Sequence, residues 1–336
     1  MRALVCKQFG SVEDVELASL PDPELTDPHA VTIAVEFASV SHATGLMIAG
    51  QYQRRPPLPF VPGTEVVGHV VACGHAVTRL HPGDRVVAIA DWGGYAERLT
   101  LPEYTVYPVP ESLPSTSALP IPLSYGTAYC GLVWRCGLRA QDTVLVLGAG
   151  AGVGLAALEI GRQLGATVIA CASTEAKRAE ALRRGATHAL APEDLAASVK
   201  ALTDGRGADV VVDPVGGDLF GQALRAAAPN ARILSIGFAS GSIPQAPVNL
   251  LLVKNLTLHG FFFGRYIGWT PTNERAEHAS ALQPVMSTLL QWAAEGKLEP
   301  TVSAVYPLTG LGDALAALES RKVVGKVAIK IKETET

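Results

Sequence analysis

The sequence lacks any uninterrupted apolar run of the roughly 20 residues that a membrane-spanning helix requires. Its longest apolar stretch surrounds the segment VLVLGAGAGVGLAALE, and prolines or glycines interrupt the rival runs. The first residues, MRALVCKQFGSVEDVELA, carry charges at Lys7, Glu13 and Asp14 and lack the apolar core of a signal peptide. We therefore expect a cytoplasmic protein that does not associate with membranes.

Cysteine and charge are both scarce. The five cysteines are odd in number, scattered and without a CxxC pair, which argues against a disulfide framework and predicts reduced, mostly buried thiols. Charged residues make up 17% of the chain, the net charge is −4, and no long run of lysine and arginine occurs. This balance gives no electrostatic footprint for nucleic acid, so the expected partner is a small molecule.

The 336 residues are enough for about two domains with their own cores. Before about residue 120, short strand-like runs such as AVTIAVEFASV, EVVGHVVACG and DRVVAIA alternate with turn residues, a pattern typical of an antiparallel barrel or sandwich. After it, apolar strands such as TVLVLG, TVIACA, ADVVVD and ARILSIG alternate with helical segments, which predicts a doubly wound parallel sheet. The last strands, VSAVYPL and GKVAIKI, are expected to return to the first domain.

The segment VLVLGAGAGVGLAALE follows a predicted buried strand and opens a predicted helix, the context of a dinucleotide-binding fingerprint. In the frame that fits the helix start, the fingerprint positions are Ala149, Ala151 and Gly154, while Gly148, Gly150 and Gly152 occupy positions beside them. A pyrophosphate at the helix N-terminus explains the loop. A turn that serves only packing is the alternative.

The second strand of this domain ends without a carboxylate. NAD enzymes of this architecture place an Asp or Glu there to bind the ribose 2′-hydroxyl, but this chain has Ala172, Ser173 and Thr174. Lys177 and Arg178 instead fall in the first turn of the next helix, where cations oppose the helix dipole unless an anion binds. A 2′-phosphate would supply that anion. The alternative is two solvated cations balanced by Glu175 and Glu180.

These residues carry a family resemblance that spans essentially the whole chain. The segments PLPFVPGTEVVGHV, GGYAE, LPIPLSYGTAY, VLGAGAGVGLAALEIGRQLGATVIA, VVDPVGGDLF and SIGFASG resemble signatures of the zinc-independent quinone oxidoreductases of the medium-chain dehydrogenase/reductase superfamily. The resemblance implies an α/β protein with a GroES-like β-barrel catalytic domain (1–122 and 265–336) and a Rossmann NADPH-binding domain (123–264). It also implies a cleft between the domains and a homodimer formed by edge strands, for which KNLTLHGFFF is the candidate.

The expected cofactor, NADPH, combines the loop and cation residues with positions that the resemblance supplies. The cofactor-binding residues predicted in this way are Thr127, Gly150, Ala151, Gly152, Val153, Gly154, Ser173, Lys177, Arg178, Gly237, Phe238, Phe261, Phe263, Gly264 and Lys326. The chain departs from the family at Pro192, where a tyrosine near the adenosine is frequent.

No metal is expected. In the zinc alcohol dehydrogenases of the same superfamily a cysteine and a histidine ligand stand where this chain has Ser41 and Thr64. The four-cysteine structural zinc lobe is also missing, because HPGDRVVAIADWGGYAE runs straight through its place. His69, Cys73 and His75 are interpreted as packing residues of a buried strand and its turn.

Without a Lewis acid to stabilise an alkoxide, the hydride acceptor should already be electron-poor, as quinones and α,β-unsaturated carbonyls are. The residues expected around the developing oxyanion are Ser41, Tyr52 and Thr127. Alternatives remain for two of them, because the Ser41 hydroxyl could bond its own backbone and Tyr52 could be a pocket wall. The family often has asparagine and aspartate where this chain has Ser41 and Thr44, so its hydrogen bonds must differ.

Two other functions are compatible with the sequence. An enoyl-thioester or acrylate-type reductase would want basic residues at the cleft mouth, for which Arg54, Arg55 and Arg265 are available. A ζ-crystallin-like protein would bind NADPH in a structural or RNA-binding role, and the acidic charge balance argues against RNA. Consumption of NADPH in the presence of an acceptor distinguishes an enzyme from a protein that only binds the cofactor.

Overall fold

The computed structural model describes residues 1–150, 152–320 and 323–332. The predicted cofactor residue Ala151 lies outside these described residues. The chain divides into two compact units. A barrel unit comprises Met1–Leu123, Gly264–Gly296 and Pro300–Thr336, and a Rossmann unit comprises Ser124–Phe263 and Lys297–Glu299.

The secondary structure is mixed. The strands are β1 (Arg2–Cys6), β2 (Val15–Ser19), β3 (Ala30–Val40), β4 (Glu65–Cys73), β5 (Arg85–Ile89), β6 (Arg98–Pro102), β7 (Val106–Pro108), β8 (Thr143–Leu147), β9 (Thr167–Cys171), β10 (His188–Leu190), β11 (Ala208–Asp213), β12 (Ala227–Ser235), β13 (Thr257–Gly260), β14 (Val302–Pro307) and β15 (Lys326–Lys330). The α-helices are α1 (His42–Ile48), α2 (Ser115–Ala118), α3 (Gly126–Cys130), α4 (Gly152–Gln163), α5 (Glu175–Arg183), α6 (Leu195–Ala201), α7 (Gly217–Ala226), α8 (Val248–Lys254), α9 (Arg275–Ala294) and α10 (Leu311–Glu319).

The Rossmann unit is built on a parallel sheet with the strand order β10-β9-β8-β11-β12-β13. Every residue of β8 is buried, because helices cover both faces of such a sheet and leave no polar side. The order reverses between β8 and β11, so the loops after these strands flank the switch point at which ligands bind in open α/β sheets. This is the predicted doubly wound architecture.

The barrel unit contains a second, largely antiparallel sheet. Its order is β14-β15-β3-β4-β5-β7, and β6 pairs with β3. The C-terminal strand β15 pairs antiparallel with β3, and β14 lies parallel to β15, so the end of the chain completes a sheet begun near its start. The separate hairpin of β1 and β2 joins this unit.

One detail differs from the sequence prediction. The helix predicted over GDLFGQALRAAAP ends at Ala226, and Ala227 already belongs to β12. Pro229 accounts for this, because proline cannot continue a helix and disfavours the helical conformation in the residue before it.

The cysteines are unpaired and four of the five are buried, as predicted. Among the described residues, no helix is both long enough and apolar enough to cross a membrane.

Candidate functional site

The glycine loop lies between β8 and α4, and a glycine is needed at its four glycine positions for different structural reasons. Gly148 and Gly152 have φ values of +61° and +50°, in the left-handed region that favours glycine. A Cβ on Gly154 would lie 2.2 Å from the carbonyl oxygen of Gly148, so this glycine permits close packing of helix on strand. A Cβ on Gly150 would instead lie 2.6 Å from Cδ of Lys177. The stem of Lys177 therefore lies directly on the loop.

Lys177 and Arg178 stand in the first turn of α5, where the sequence predicts them. Thr174 caps this helix, and its hydroxyl accepts a hydrogen bond from the Lys177 backbone N–H at 3.3 Å. The Arg178 guanidinium donates to the carbonyl of Ala172, at the end of β9, at 3.0 Å. Ser173 is exposed. These side chains thus gather at the end of β9, beside the glycine loop.

Glu180 does not balance these two cations. Its carboxylate accepts hydrogen bonds from Arg183 at 2.7 Å and from Arg184 at 2.6 Å. These bonds lower the pKa of Glu180 to about 2, with the Arg183 hydrogen bond as the largest cause. The interpretation of Lys177 and Arg178 as cations balanced by Glu175 and Glu180 therefore loses one of its two carboxylates.

The loop after β11 lies beside the glycine loop, and the loop after β12 lies beside the loop after β11. Val215, after β11, is the nearest neighbour of a Cβ placed on Gly148, at 2.9 Å, and Gly237, after β12, lies beside the Pro214 carbonyl. Phe238 is partly exposed, whereas Phe261 and Phe263, after β13, are buried with ring centroids 6.4 Å apart. Gly264 begins the barrel segment, and its carbonyl accepts a hydrogen bond from the Trp269 N–H. Thr127 is buried in α3.

Asp213, at the end of β11, is a residue that the sequence analysis passed over. Its Oδ1 accepts hydrogen bonds from the N–H groups of Val215 and Gly216, both at 2.8 Å. Its Oδ2 is buried and, within the described part of the chain, has no hydrogen-bond partner. Burial raises the pKa of this carboxyl, partly opposed by the two N–H bonds. The sequence signal was the carboxylate that ends the apolar run ADVVV.

In the barrel unit, Ser41 caps α1 and belongs to an array of hydroxyls. Its Oγ lies 3.4 Å from Oγ1 of Thr44, which in turn lies 3.4 Å from the phenol oxygen of Tyr95. The Tyr95 hydroxyl donates to the Ser39 carbonyl at 3.0 Å. A carbonyl only accepts, so the single hydrogen of Tyr95 points to Ser39 and Thr44 must donate to Tyr95. Because the single hydrogen of Thr44 points to Tyr95, the Ser41 hydroxyl donates to Thr44.

Tyr52 lies in the segment after α1 and is half-buried. Burial raises the pKa of its phenol, opposed in part by a Gln53 hydrogen bond and the charge of Arg54. The Arg54 guanidinium lies 5.0 Å from the Trp92 ring centroid and donates to Asp91 at 2.5 Å. Asp91 also accepts a short hydrogen bond from the buried Arg275. This carboxylate therefore ties the Tyr52 segment to the start of α9.

Lys326, predicted to bind the cofactor, forms a buried ion pair with Glu65. The same carboxylate accepts the Ser39 hydroxyl at 2.6 Å and the Leu123 N–H at 3.0 Å. A cofactor role for Lys326 stays a prediction. Two of the three arginines considered for anionic acceptors also have carboxylate partners, Arg54 with Asp91 and Arg265 with Glu274 at 2.9 Å.

The residues considered for metal binding do not form a cluster. His69 and His75 are exposed, so their interpretation as packing residues is wrong, and Cys73 donates to the Leu80 carbonyl. Among the described residues, no group of three or more His, Cys, Asp or Glu side chains has a metal-binding arrangement.

Comparison with known proteins identifies the family to which the chain belongs. Residues 27–111 match the alcohol dehydrogenase GroES-like domain, and residues 152–281 match the zinc-binding dehydrogenase domain. The chain is 37% identical over 336 residues to quinone oxidoreductase-like protein 2 homolog from Nematostella vectensis, covering 99% of this chain and 89% of that protein. The chain belongs to the quinone oxidoreductase family. It is thus an α/β protein of the medium-chain dehydrogenase/reductase superfamily, with a GroES-like domain and a Rossmann domain.

Solved structures agree with this membership. The quinone oxidoreductase from Thermus thermophilus, described with its NADPH complex, superposes with a TM-score of 0.83 at 32% identity and covers 98% of this chain and 100% of that one. An NAD-dependent alcohol dehydrogenase superposes with a TM-score of 0.87 at 32% identity, with coverages of 99% and 100%. The shared fold therefore includes relatives named for different cofactors and substrates, and the site residues must discriminate among them.

Proposed function

We propose that this protein is an NADPH-dependent reductase that transfers hydride to quinones or α,β-unsaturated carbonyls without zinc. The observation that carries the proposal is the cationic first turn of α5, with the Lys177 stem lying on the glycine loop where β9 ends without a carboxylate. Membership of the quinone oxidoreductase family and the relative described with NADPH support it.

The residues of the Rossmann unit fit a dinucleotide with a 2′-phosphate. The N-terminus of α4 and the loop glycines would hold the pyrophosphate, and Ser173, Lys177 and Arg178 the 2′-phosphate. When bound, NADPH supplies the hydride. The buried Phe261 and Phe263 and the loop at Gly237 and Phe238 would hold the rest of the cofactor.

On the acceptor side, the proposed task is to stabilise negative charge on an oxygen. Ser41 is one proposed donor, and its hydroxyl hydrogen would turn from Thr44, 3.4 Å away, to that oxygen. Tyr52 keeps its proton at neutral pH, since the ordinary pKa of a phenol is about 10 and burial raises it further, so it can donate a hydrogen bond or a proton. Thr127 is the third proposed donor.

Independence from zinc is proposed from residue identity. Ser41 and Thr64 stand where a zinc alcohol dehydrogenase has its cysteine and histidine ligands, and neutral hydroxyls are poor ligands for zinc. The reaction then needs an acceptor whose reduced form is already a stabilised anion, because several kcal/mol of Lewis-acid stabilisation are missing.

We also propose a homodimer that pairs through β13. This strand lies at an edge of the six-stranded parallel sheet, with three of its four residues exposed. An edge strand presents unpaired backbone groups that a second copy can satisfy.

The test measures NADPH and NADH oxidation with a panel of quinones and enones, with saturated ketones and ethanol/NADP⁺ as controls, in the presence of a chelator. We expect turnover with the electron-poor acceptors, a preference for NADPH, and no stoichiometric zinc by elemental analysis. Equal use of NADH and NADPH would overturn the cofactor assignment. Rapid ethanol oxidation, or activity lost with one zinc per chain, would overturn the acceptor class and the mechanism.

A further inference from the structure

We infer that Gly150 determines cofactor selectivity by leaving room for the stem of Lys177 on the glycine loop. This inference rests on the proposed NADPH preference and adds a residue to it. Gly150 lies between the fingerprint positions Ala149 and Ala151, so the dinucleotide fingerprint itself gives no reason for a glycine there.

The backbone gives no reason either. Gly148 and Gly152 have positive φ values, but Gly150 does not, so its conformation is open to alanine. The obstacle is Lys177. A Cβ on Gly150 would lie 2.6 Å from Cδ and 2.8 Å from both Cβ and Cγ of Lys177, closer than real Cβ contacts occur. The glycine is required by the lysine stem above it.

Helix α5 is held at both ends and cannot simply withdraw. At its start, the Arg178 guanidinium donates to the carbonyl of Ala172, which follows β9, at 3.0 Å. At its end, Arg184 donates to the buried Glu159 of α4 at 2.5 Å. A methyl group on residue 150 would therefore push the Lys177 side chain off the loop, and the ammonium would move with it.

The consequence is selective. The 2′-phosphate distinguishes NADPH from NADH, so loss of the Lys177 position should weaken NADPH and leave NADH nearly unchanged. A glycine needed for the pyrophosphate would affect both cofactors alike, because both contain the pyrophosphate. The ratio of the two affinities therefore separates the two roles.

The experiment is a double-mutant cycle on Gly150→Ala and Lys177→Ala, with the Kd of NADPH and NADH measured by calorimetry for all four proteins. Loss of a charged hydrogen bond predicts that K177A weakens NADPH about tenfold or more, with little change for NADH. G150A should reproduce most of this loss, and the double variant should be no weaker than K177A. Gly221→Ala, in α7, is the matched control, since its added Cβ would have no neighbour closer than 3.9 Å.

Three results would overturn the inference: equal weakening of both cofactors by G150A, an unchanged affinity of G150A for NADPH, or losses that multiply in the double variant. If G150A is too unstable for binding measurements, the melting temperatures of G150A and the double variant are compared instead. The double variant should melt higher, because it lacks the lysine stem that the added methyl group meets. A wild type that binds both cofactors equally would overturn the proposed selectivity itself, and this role of Gly150 with it.

Discussion

Each unit of the molecule contains a fully buried carboxylate that joins distant segments, Glu159 in one and Glu65 in the other, and the two are surrounded differently. In the Rossmann unit, Glu159 accepts the Tyr125 hydroxyl at 2.9 Å, the Glu299 N–H at 2.8 Å and Arg184 at 2.5 Å. In the barrel unit, Glu65 accepts the Ser39 hydroxyl, the Leu123 N–H and Lys326. Both carboxylates are thus paired and hydrogen-bonded, as buried charges must be.

The difference lies in the cation and what surrounds it. The Arg184 guanidinium continues to Glu180, and Arg183 bridges Glu180 to Glu299, so charged groups fix the helix that presents Lys177. Around Glu65 the neighbours include neutral hydroxyls. The Ser39 hydroxyl donates to Glu65, and the Tyr95 hydroxyl donates to the Ser39 carbonyl. The helix that carries the proposed 2′-phosphate residues is therefore held by ion pairs, whereas the proposed acceptor residue Ser41 adjoins neutral hydroxyls.

The largest expected effect tests the charged network. Arg184→Ala leaves Glu159 buried without its cation, which should cost about 3–5 kcal/mol of unfolding free energy. Arg183→Ala is the control, because this side chain is 54% exposed and exposed ion pairs contribute about 1 kcal/mol or less. Urea denaturation of both variants measures the difference. Similar losses in the two would contradict the role of Glu159 as the buried centre of the network.

The acceptor end is tested by Tyr52→Phe. An enone needs a proton near the developing charge, whereas a quinone gives a stabilised anion that water can protonate later. The variant should therefore slow enone turnover by about 10²–10⁴-fold and quinone turnover much less. The measurement is kcat/KM for both acceptors, with Tyr104→Phe as the control. A small, equal change for both acceptors would reduce Tyr52 to a pocket wall.

A smaller effect is expected from Thr44→Val, which removes the central hydroxyl of the neutral array without changing its volume much. Thr44 accepts from the Ser41 N–H at 3.3 Å and is buried, so its loss should cost about 0.5–1.5 kcal/mol. Thermal unfolding measures this cost, and Thr44→Ser should recover most of it. If the serine variant is as unstable as the valine variant, packing of the methyl group outweighs the hydrogen bonds.

Much of the fold could be predicted from the sequence because periodicity encodes it. The wholly apolar runs of β8 and β11 are what a sheet covered on both faces requires, and the strand bounds agree within a residue or two. The glycine loop and the cations of α5 were also local signals, since their spacing along the chain places them at one edge of the sheet.

The rest depended on contacts between distant residues. Glu65 and Lys326 are 261 positions apart, and Glu159 and the Glu299 N–H are 140 apart. The contact between Gly150 and Lys177 depends on the orientation of the first turn of α5 towards the loop. The number of residues between the two positions does not determine that orientation. Polar residues in apolar strands, such as Glu65 and Asp213, were the available signals, but they do not name a partner.

Asp213 supplies the smallest expected effect and the one that depends on pH. Burial, the dominant cause, raises its pKa above the unfolded value, so folding favours the protonated form. The native state then binds more protons than the unfolded state between the two pKa values, and stability falls as pH rises through that range. Above the native pKa this loss is complete.

Asp213→Asn keeps an oxygen for the Val215 and Gly216 N–H groups and removes the ionisable group, so the variant should melt slightly higher than wild type near pH 8. The gain should shrink as pH is lowered towards the ordinary carboxyl range, because the wild-type carboxyl becomes protonated. Melting temperatures of both proteins across that range measure it, and a gain that is independent of pH would mean that the amide acts by new hydrogen bonds instead of by removing a buried charge.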